Sequence, residues 1–225
     1  MQICPSMPLP TMDDLAANIN KLSPFYNYFQ IDIGDGIFVS NRTVQIDDIL
    51  KGYKQFNNYQ LLDFDFHLMV SDFEKDIEKL NQLKKLINIK NVFIHLSAIS
   101  NFELRISDLS LINIGLTLNP QDQVSDLTNH YDLNTIPCLQ IMSVTPGVQG
   151  NPFIPETLDK IEQLRVLGYK SKIFLDGAVN DKTLPIINKL KYKPDVICPG
   201  SYLTKAKDLK KNVEYLKNYV KIRNH

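Results

Sequence analysis

Two hydrophobic periods alternate along the chain, and each predicts its own kind of secondary structure. The segment 29–34 places Ile31 and Ile33 between polar or glycine positions, a period of two that is typical of a strand. After Thr11, a residue suited to cap a helix, Leu15 and later apolar positions recur at the spacing of one helix face. The same alternation of strand and helix continues along the rest of the chain.

Eight apolar strands are predicted, and each is followed by a helix-like segment. The predicted strands cover residues 2–4, 29–34, 61–70, 92–95, 112–118, 139–144, 172–175 and 195–198. The predicted helices begin after Thr11 and otherwise cover residues 44–56, 71–86, 97–111, 122–129, 155–167, 183–190 and 205–220, with Ser71 as the cap of one. This number and order of elements predicts a (β/α)8 TIM barrel.

Chain length and the lack of a flexible linker predict one TIM-barrel domain over residues 1–225. No Pro/Gly/Ser-rich stretch divides the 225 residues, which suit one large domain. A doubly wound sheet is the alternative architecture, but the first strand lacks a Gly-x-Gly-x-x-Gly turn after it. In a barrel the carboxyl ends of the strands share one face, which would bring together Ser6, Asp32, His67, His95, Asn119, Met142, Asp176 and Gly200.

Composition directs attention to small-molecule partners. The 25 basic and 25 acidic residues cancel and are scattered, so no surface is marked for nucleic acid or an anionic membrane. The sequence shows no secretory signal and no bilayer-spanning stretch, and its three cysteines lack the spacing of a zinc or disulfide framework. We therefore expect a cytoplasmic protein with buried, reduced thiols.

Glycine-bearing loops follow the last three predicted strands and indicate a phosphate site. The loops contain Gly147 and Gly150, then Gly177 and Ala178, then Gly200 and Ser201. Glycine lets main-chain N–H groups approach an anion, and a helix start behind the loop adds partial positive charge. Each loop alone is compatible with simple turn chemistry, but barrels often bind phosphate after their last strands.

Two strand-end aspartates are the candidate acid and base. Asp32 and Asp176 end the second and seventh predicted strands, so in a barrel they face each other across its mouth. Opposed carboxylates suit removal of a proton from one face of a carbon and delivery of a proton to the other. The alternative interpretation is that each aspartate caps a helix or pairs with a surface lysine.

Histidine and methionine residues at the same strand ends are further candidates. His67 is either a metal ligand shared with the two aspartates or a hydrogen-bonded core residue. His95 is interpreted as a residue that supports the site from behind or packs in the core. Met69 and Met142 are either core residues or an apolar lid over a substrate.

Taken together, these motifs resemble the ribulose-phosphate 3-epimerase family over nearly the whole chain. The matching segments are Cys4-Pro-Ser6, Ile31-Asp-Ile-Gly-Asp-Gly-Ile-Phe-Val39 with Asn41 and Thr43, His67-Leu-Met-Val70, Gly115-Leu-Thr-Leu-Asn-Pro120, Met142-Ser-Val-Thr-Pro-Gly147, Pro152-Phe-Ile-Pro155, Asp176-Gly177 and Gly200-Ser201. Their shared order and spacing is far more specific than any one motif.

The resemblance implies a ribulose-phosphate-binding TIM barrel, a homo-oligomer, and epimerisation beside the carbonyl of ribulose 5-phosphate, xylulose 5-phosphate or a related ketose phosphate. Asp32 and Asp176 would be the acid and base, acting through a metal-stabilised enediolate. Both aspartates and His67 would bind a divalent ion such as zinc, iron, manganese or cobalt. Ser6 would contact the sugar phosphate, as would His67, the two methionines and the glycine loops.

Several positions depart from the family pattern. Gln30 stands where the family has its first metal-ligating histidine, and an amide is a weaker ligand than imidazole. Gly34 replaces a lid methionine, Ser97 replaces a glutamate, and Ala178 replaces a second glycine. These changes keep a second hypothesis open, a sugar-phosphate-binding paralogue with weak or no epimerase activity.

A third hypothesis keeps the barrel and the phosphate but changes the reaction to that of a related lyase or decarboxylase. Those enzymes carry an Asp-x-Lys-x-x-Asp run on the third strand. Here the corresponding segment reads Asp63-Phe-Asp-Phe-His67 and contains no lysine. The sequence therefore favours the epimerase.

Overall fold

The strands form one parallel sheet that closes on itself. The structure is a computed structural model, and it describes residues 1–99, 113–147 and 150–221. The strands are β1 (Gln2–Ile3), β2 (Ser6–Met7), β3 (Tyr28–Gly34), β4 (Asp63–Met69), β5 (Asn88–His95), β6 (Asn113–Leu118), β7 (Cys138–Met142), β8 (Lys172–Asp176) and β9 (Val196–Cys198). Their order in the sheet is β1-β9-β8-β7-β6-β5-β4-β3-β2, and all pairings between these strands are parallel.

Closure depends on the first predicted strand, which Pro5 divides into β1 and β2. β1 pairs with β9, and β2 pairs with β3. The N–H of Cys4 donates to the carbonyl of Ile197, while the N–H of Gln30 donates to the carbonyl of Pro5. Residues 2–7 are therefore bonded on both sides, which confirms the predicted TIM barrel and excludes the doubly wound sheet.

The helices on the outside of the barrel are mostly shorter than predicted. They are α1 (Met12–Leu22), α2 (Ile46–Gly52), α3 (Phe73–Leu83), α4 (Val124–Thr128), α5 (Asp159–Val166), α6 (Leu184–Ile187), α7 (Ser201–Thr204) and α8 (Leu209–Lys221). Short 3₁₀ segments cover Tyr53–Gln55, Tyr59–Leu61, Leu96–Ala98, Leu133–Thr135 and Pro155–Leu158. Most of the predicted helix 97–111 lies outside the described residues. In the described part of the chain, no helix is long and apolar enough to cross a membrane.

The start of α3 differs from the prediction. Asp72 caps this helix, because its carboxylate accepts the N–H of Lys75, and Ser71 does not. The N–H and hydroxyl of Ser71 instead donate to Asp35, at 2.7 and 2.8 Å. Burial raises the pKa of Asp35, but these bonds and two more from its own loop outweigh it, so the pKa lies below its ordinary value. Asp35 thus ties the β3–α2 loop to the loop before α3.

Alternation along the strands creates two apolar cores. On β3, Phe29, Ile31 and Ile33 pack with residues of the helices. A second cluster fills the barrel interior, where the rings of Phe93 and Phe174 lie 4.8 Å apart. Because alternate residues of each strand point into the barrel, the last inward-facing residue of a strand lies nearest the mouth.

Candidate active site

A pocket opens at the carboxyl ends of the strands, and the residues predicted for catalysis and substrate binding line it. These residues are Ser6, Asp32, His67, Met69, Met142, Gly147, Gly150, Asp176, Gly177, Ala178, Gly200 and Ser201. The pocket is also lined by residues that had not been assigned to it: Pro8, Asn41, Val144, Pro146, Asn151, Val179, Asn180 and Cys198. Asn41, Val144 and Pro146 belong to segments that carry the family resemblance, and the other five had only their position beside a strand end or a glycine loop as a signal.

One side of the pocket, which we call the carboxylate wall, consists of Asp32, His67 and Asp176 with Gln30 behind them. The two aspartates are only 4 % and 5 % exposed, and among the described residues neither caps a helix or pairs with a lysine, so the alternative interpretation of helix caps or surface ion pairs is wrong. Nδ1 of His67 lies 3.4 Å from Oδ1 of Asp32 and 3.6 Å from Oδ2 of Asp176. One potential ligand atom from each of the three residues lies within 4.8 Å of the others.

Burial and charge both act on the carboxyl group of Asp176. Burial, and after it the negative charge of Asp32, raises the pKa of Asp176 to about 7. Hydrogen bonds and the neighbouring His67 oppose this rise without cancelling it. A proton on Asp176 at neutral pH relieves the repulsion between two buried carboxylates, and it gives the pair one acid and one base.

Gln30 connects the two aspartates directly. Its Nε2 donates to Oδ1 of Asp32 at 2.9 Å and to Oδ2 of Asp176 at 2.7 Å. Gln140, a second buried amide in the barrel, points Nε2 at the same Asp176 oxygen from 3.4 Å. The sequence had marked Gln30 only as a weak ligand and had given no role to Gln140, since such contacts depend on how distant strands meet.

His95 contacts His67 from behind and does not line the pocket. The Nε2 atoms of the two rings are 2.8 Å apart, and the rings stack with centroids 4.8 Å apart. Burial, and after it the charge of His67, lowers the pKa of His95 well below its ordinary value, so His95 is neutral. Donor and acceptor at this contact depend on the tautomers: if Nε2 of His95 accepts, Nε2–H of His67 donates, and Nδ1 of His67 is the nitrogen that faces the carboxylates.

The prediction that His95 and Asn119 converge on the pocket with the other strand ends is therefore wrong. Both are fully or almost fully buried and lie outside the pocket lining. Asn119 donates instead to the hydroxyl of Ser97 at 2.9 Å. The interpretation of His95 as a residue that packs behind the site agrees with its position.

Two features of the carboxylate wall suit a divalent cation, and one feature does not. Nδ1 of His67 is buried with no hydrogen-bond partner, and it faces two carboxylate oxygens, which are ligands that divalent ions accept. Nε2 of Gln30, however, presents hydrogens to the same space and cannot ligate in that orientation. Asp32, His67 and Asp176 are accordingly the residues that would hold a metal.

A second part of the pocket lining, which we call the glycine wall, consists of Gly147, Gly150, Gly177, Ala178, Gly200 and Ser201. Gly147, Gly150 and Gly177 have φ values of 110°, 102° and 109°, a region that favours glycine. Ala178 has a φ of 48°, a left-handed conformation that strains a residue with a side chain. A Cβ at Gly177 would lie 2.9 Å from the N–H nitrogen of Val144. The main chain therefore comes close to the pocket where side chains would block it.

Residues of the β3–α2 loop fill the space beside Gly34, the position at which the family pattern has a lid methionine. A Cβ at this position would lie 2.9 Å from the carbonyl oxygen of Asn41 and 3.2 Å from Cγ2 of Val39. Val39 in turn packs on Gly147, whose added Cβ would lie 3.0 Å from the Cβ of Val39. The small residue at Gly34 therefore does not widen the mouth, because the β3–α2 loop occupies that space and contacts the glycine wall.

Solved structures share this fold at low sequence identity. The chain is similar to 3-hexulose-6-phosphate synthase from Salmonella typhimurium with a TM-score of 0.66, at 12 % identity and with all of both chains covered. It is also similar to thiamine phosphate pyrophosphorylase from Pyrococcus furiosus, with a TM-score of 0.61 and 14 % identity. That comparison covers 100 % of this chain and 96 % of the other. At these identities the likeness shows the barrel alone.

Relatives found by sequence similarity indicate the family more specifically than these shared folds do. The chain is 30 % identical over 228 residues to ribulose-phosphate 3-epimerase of Helicobacter pylori, covering 97 % of each chain. It is 29 % identical over 199 residues to ribulose-phosphate 3-epimerase of Methanocaldococcus jannaschii, covering 85 % of this chain and 78 % of the relative. Residues 2–203 match the profile of the family described as Ribulose-phosphate 3 epimerase. The chain therefore belongs to the ribulose-phosphate 3-epimerase family.

Proposed function

We propose that the protein is a ketose-phosphate 3-epimerase that interconverts ribulose 5-phosphate and xylulose 5-phosphate or a closely related pair. The observation that carries the proposal is the pairing of Asp32 and Asp176 on one wall of a pocket whose other wall is main chain and glycine. Family membership supports the same reaction class. Epimerisation beside a carbonyl needs a proton removed from one face of the carbon and returned to the other, and two neighbouring carboxyl groups can supply the base and the acid.

Asp32 and Asp176 divide the proton transfer between them. The raised pKa of Asp176 lets this carboxyl hold a proton at neutral pH, so in one direction it donates while Asp32 removes the proton from the substrate carbon. In the reverse direction the two roles exchange. A divalent ion held by Asp32, His67 and Asp176 would place positive charge beside the substrate oxygens that become negative.

The glycine wall would bind the phosphate through main-chain N–H groups. Gly147, Gly150, Gly177 and Ala178 have positive φ values and line the pocket together with Gly200 and Ser201, so main chain is available there to bind an anion. Ser6 would contact the sugar, while Met69 and Met142, both 4 % exposed, would cover its apolar face. Phosphate at one end would thus fix which carbon lies between the aspartates.

The test is direct. Purified protein, alone and with added divalent metals, is incubated with ribulose 5-phosphate and with allulose 6-phosphate, and turnover is followed with solvent deuterium incorporation. We expect turnover of one of these ketose phosphates with deuterium at the inverted carbon. Absence of turnover of both, with and without every metal, would disprove the proposal.

A sugar-phosphate-binding paralogue is the second candidate, and the Gln30 contacts favour it. An amide donor that bridges both carboxylates weakens the case for a resident metal. This candidate predicts that the sugar phosphate raises the melting temperature while solvent deuterium fails to enter the substrate. The epimerase predicts both effects together.

The lyase hypothesis finds no support in the geometry. A lyase of that kind would need its charged residues from β4 in the pocket, but neither Asp63 nor Asp65 lines it. Asp65 accepts hydrogen bonds from the hydroxyl of Tyr28 and from Nδ2 of Asn91. Both of its oxygens are therefore engaged away from the substrate.

A further inference from the structure

The Gln30 amide occupies a position that is open to two uses. Its Nε2 bridges Asp32 and Asp176, so each amide hydrogen has a carboxylate acceptor. Gln30 is 0 % exposed, and these two carboxylates with His67 form the cluster able to hold a cation. Without a cation, the positive end of the amide dipole lies between the two carboxyl groups, which stabilises their approach.

The other end of the amide contacts a group that accepts either orientation. Oε1 of Gln30 lies 3.6 Å from Sγ of Cys198, which is a free and buried thiol. A thiol is both a weak donor and a weak acceptor, so it can contact Oε1 or, after rotation of the amide, Nε2. The contact with Cys198 therefore does not determine the orientation of the Gln30 amide. The groups on the other side of the amide, which include Asp32 and Asp176, determine it.

We propose that Gln30 has two working orientations: Nε2 bridges the aspartates when no cation is present, and Oε1 turns toward a cation when one binds. The proposal rests on the function proposed above, since it concerns the metal preference of the same site. The ligand set would then be two carboxylates, one amide oxygen and one imidazole. Oxygen ligands of this kind suit Mn²⁺ and Mg²⁺, whereas additional imidazole suits Zn²⁺. Gln30 would accordingly make the site less selective for Zn²⁺ than a histidine there would.

Metal titration of the substrate-free protein tests the proposal. Calorimetry measures the Kd of Zn²⁺ and of Mn²⁺ for the unaltered protein, Gln30→His and Gln30→Leu, and Mn²⁺ binding is repeated by electron paramagnetic resonance. We expect Gln30→His to tighten Zn²⁺ binding by about tenfold or more and Mn²⁺ binding by less than about threefold. Gln30→Leu, which removes the oxygen ligand, should weaken both ions by about tenfold.

Gln45→Leu is the matched control, since it makes the same substitution at a half-buried glutamine that does not line the pocket. Nε2 of Gln45 also makes two hydrogen bonds, but to the carbonyls of Gly34 and Thr43 and not to a metal-binding carboxylate, so metal affinity should change by less than about threefold. Unchanged or tighter binding in Gln30→Leu, or equal gains for both ions in Gln30→His, would overturn the proposal. If Gln30→Leu does not fold, Gln30→Glu decides: a carboxylate oxygen there should tighten both ions, and unchanged affinity would overturn the proposal.

The binding experiment separates this proposal from the proposed function. It uses no substrate, so its result does not depend on turnover. Metal binding with the expected selectivity but no epimerisation of any ketose phosphate would end the proposed function and leave the role of Gln30 in place. Turnover by a protein whose metal affinities do not change when Gln30 is substituted would support the proposed function and overturn the role of Gln30.

Discussion

The two walls of the pocket are built by different means. The carboxylate wall works through individual side-chain atoms, and its key distances join oxygens and nitrogens of Asp32, Asp176, His67 and Gln30. The glycine wall works through backbone conformation, as its positive φ values show. A substitution in the first wall changes chemistry at one atom, whereas a substitution in the second changes the path of the chain. We therefore expect the first to affect turnover and the second to affect stability and ligand affinity.

The largest expected effect comes from Asp176→Asn. Asparagine keeps the shape of the side chain but removes its acid–base function, so kcat should fall by about a thousandfold. The free energy of unfolding should not fall, because asparagine replaces a buried carboxyl group whose charged form is disfavoured by burial and by the charge of Asp32. Steady-state kinetics and urea denaturation measure the two quantities, and Asp181→Asn, at an exposed aspartate, is the control. A kcat within about tenfold of the unaltered value would contradict the role of Asp176.

Gly177→Ala, a substitution in the glycine wall, should lower the stability of the protein, whereas Asp176→Asn should lower turnover. Its added Cβ meets Val144 and its φ is 109°, so we expect a loss of roughly 2–3 kcal/mol in the free energy of unfolding. Gly168→Ala is the matched control, because Gly168 has a φ of 90° and nothing within 4 Å of an added Cβ. That variant should lose only about 1 kcal/mol. Equal losses in the two variants, measured by urea denaturation, would show that the contact with Val144 has no cost.

His95→Phe tests whether the carboxylate wall depends on a residue outside the pocket. Phenylalanine keeps a ring against His67 but removes the 2.8 Å contact that orients it, so Zn²⁺ affinity should fall by about tenfold to a hundredfold. Calorimetry measures this loss without substrate. His95→Gln keeps a hydrogen-bonding group and should recover part of the affinity. Equal losses in both variants would mean that packing, and not the hydrogen bond, is what His95 contributes.

The smallest effect is expected from Ala178→Gly. Glycine relieves the left-handed strain at a φ of 48°, so the free energy of unfolding should rise by about 1 kcal/mol. Ala17→Gly, an exposed position within α1, makes the same substitution in a helix and should lower the free energy by about 1 kcal/mol. Thermal and urea denaturation compare the two. A decrease in both variants would show that Ala178 is not strained.

The sequence predicted the barrel and most residues of both walls, because a position at or near a strand end brings most such residues to the mouth. Asp32 and Asp176 are 144 positions apart, yet Asp32 lies near the end of β3 and Asp176 ends β8, so parallel strand order was sufficient to bring them together. The glycines were predictable for a related reason, since a loop that needs positive φ selects them.

What the sequence did not predict depends on contacts at the scale of single side chains. The bridge from Gln30 requires β3 and β8 to stand at one particular separation across the interior, which no local pattern encodes. His95 ends its strand as His67 nearly does, but its ring lies behind the neighbouring histidine. Ser71 and Asp72 were equally able to cap α3, and Asp35 decided between them by binding Ser71.

The divided first strand has a consequence for how the protein reaches its native state. Residues 2–7 are the only described segment that joins β9 to β3, and they come together with β9 across about 190 residues of chain. Contacts of such long sequence separation form late and slowly. Until they form, β3 and β9 each present an unpaired edge to other molecules, which invites association between nascent chains. Ser6 reaches the pocket only when these contacts form, so the pocket is complete only once the barrel has closed.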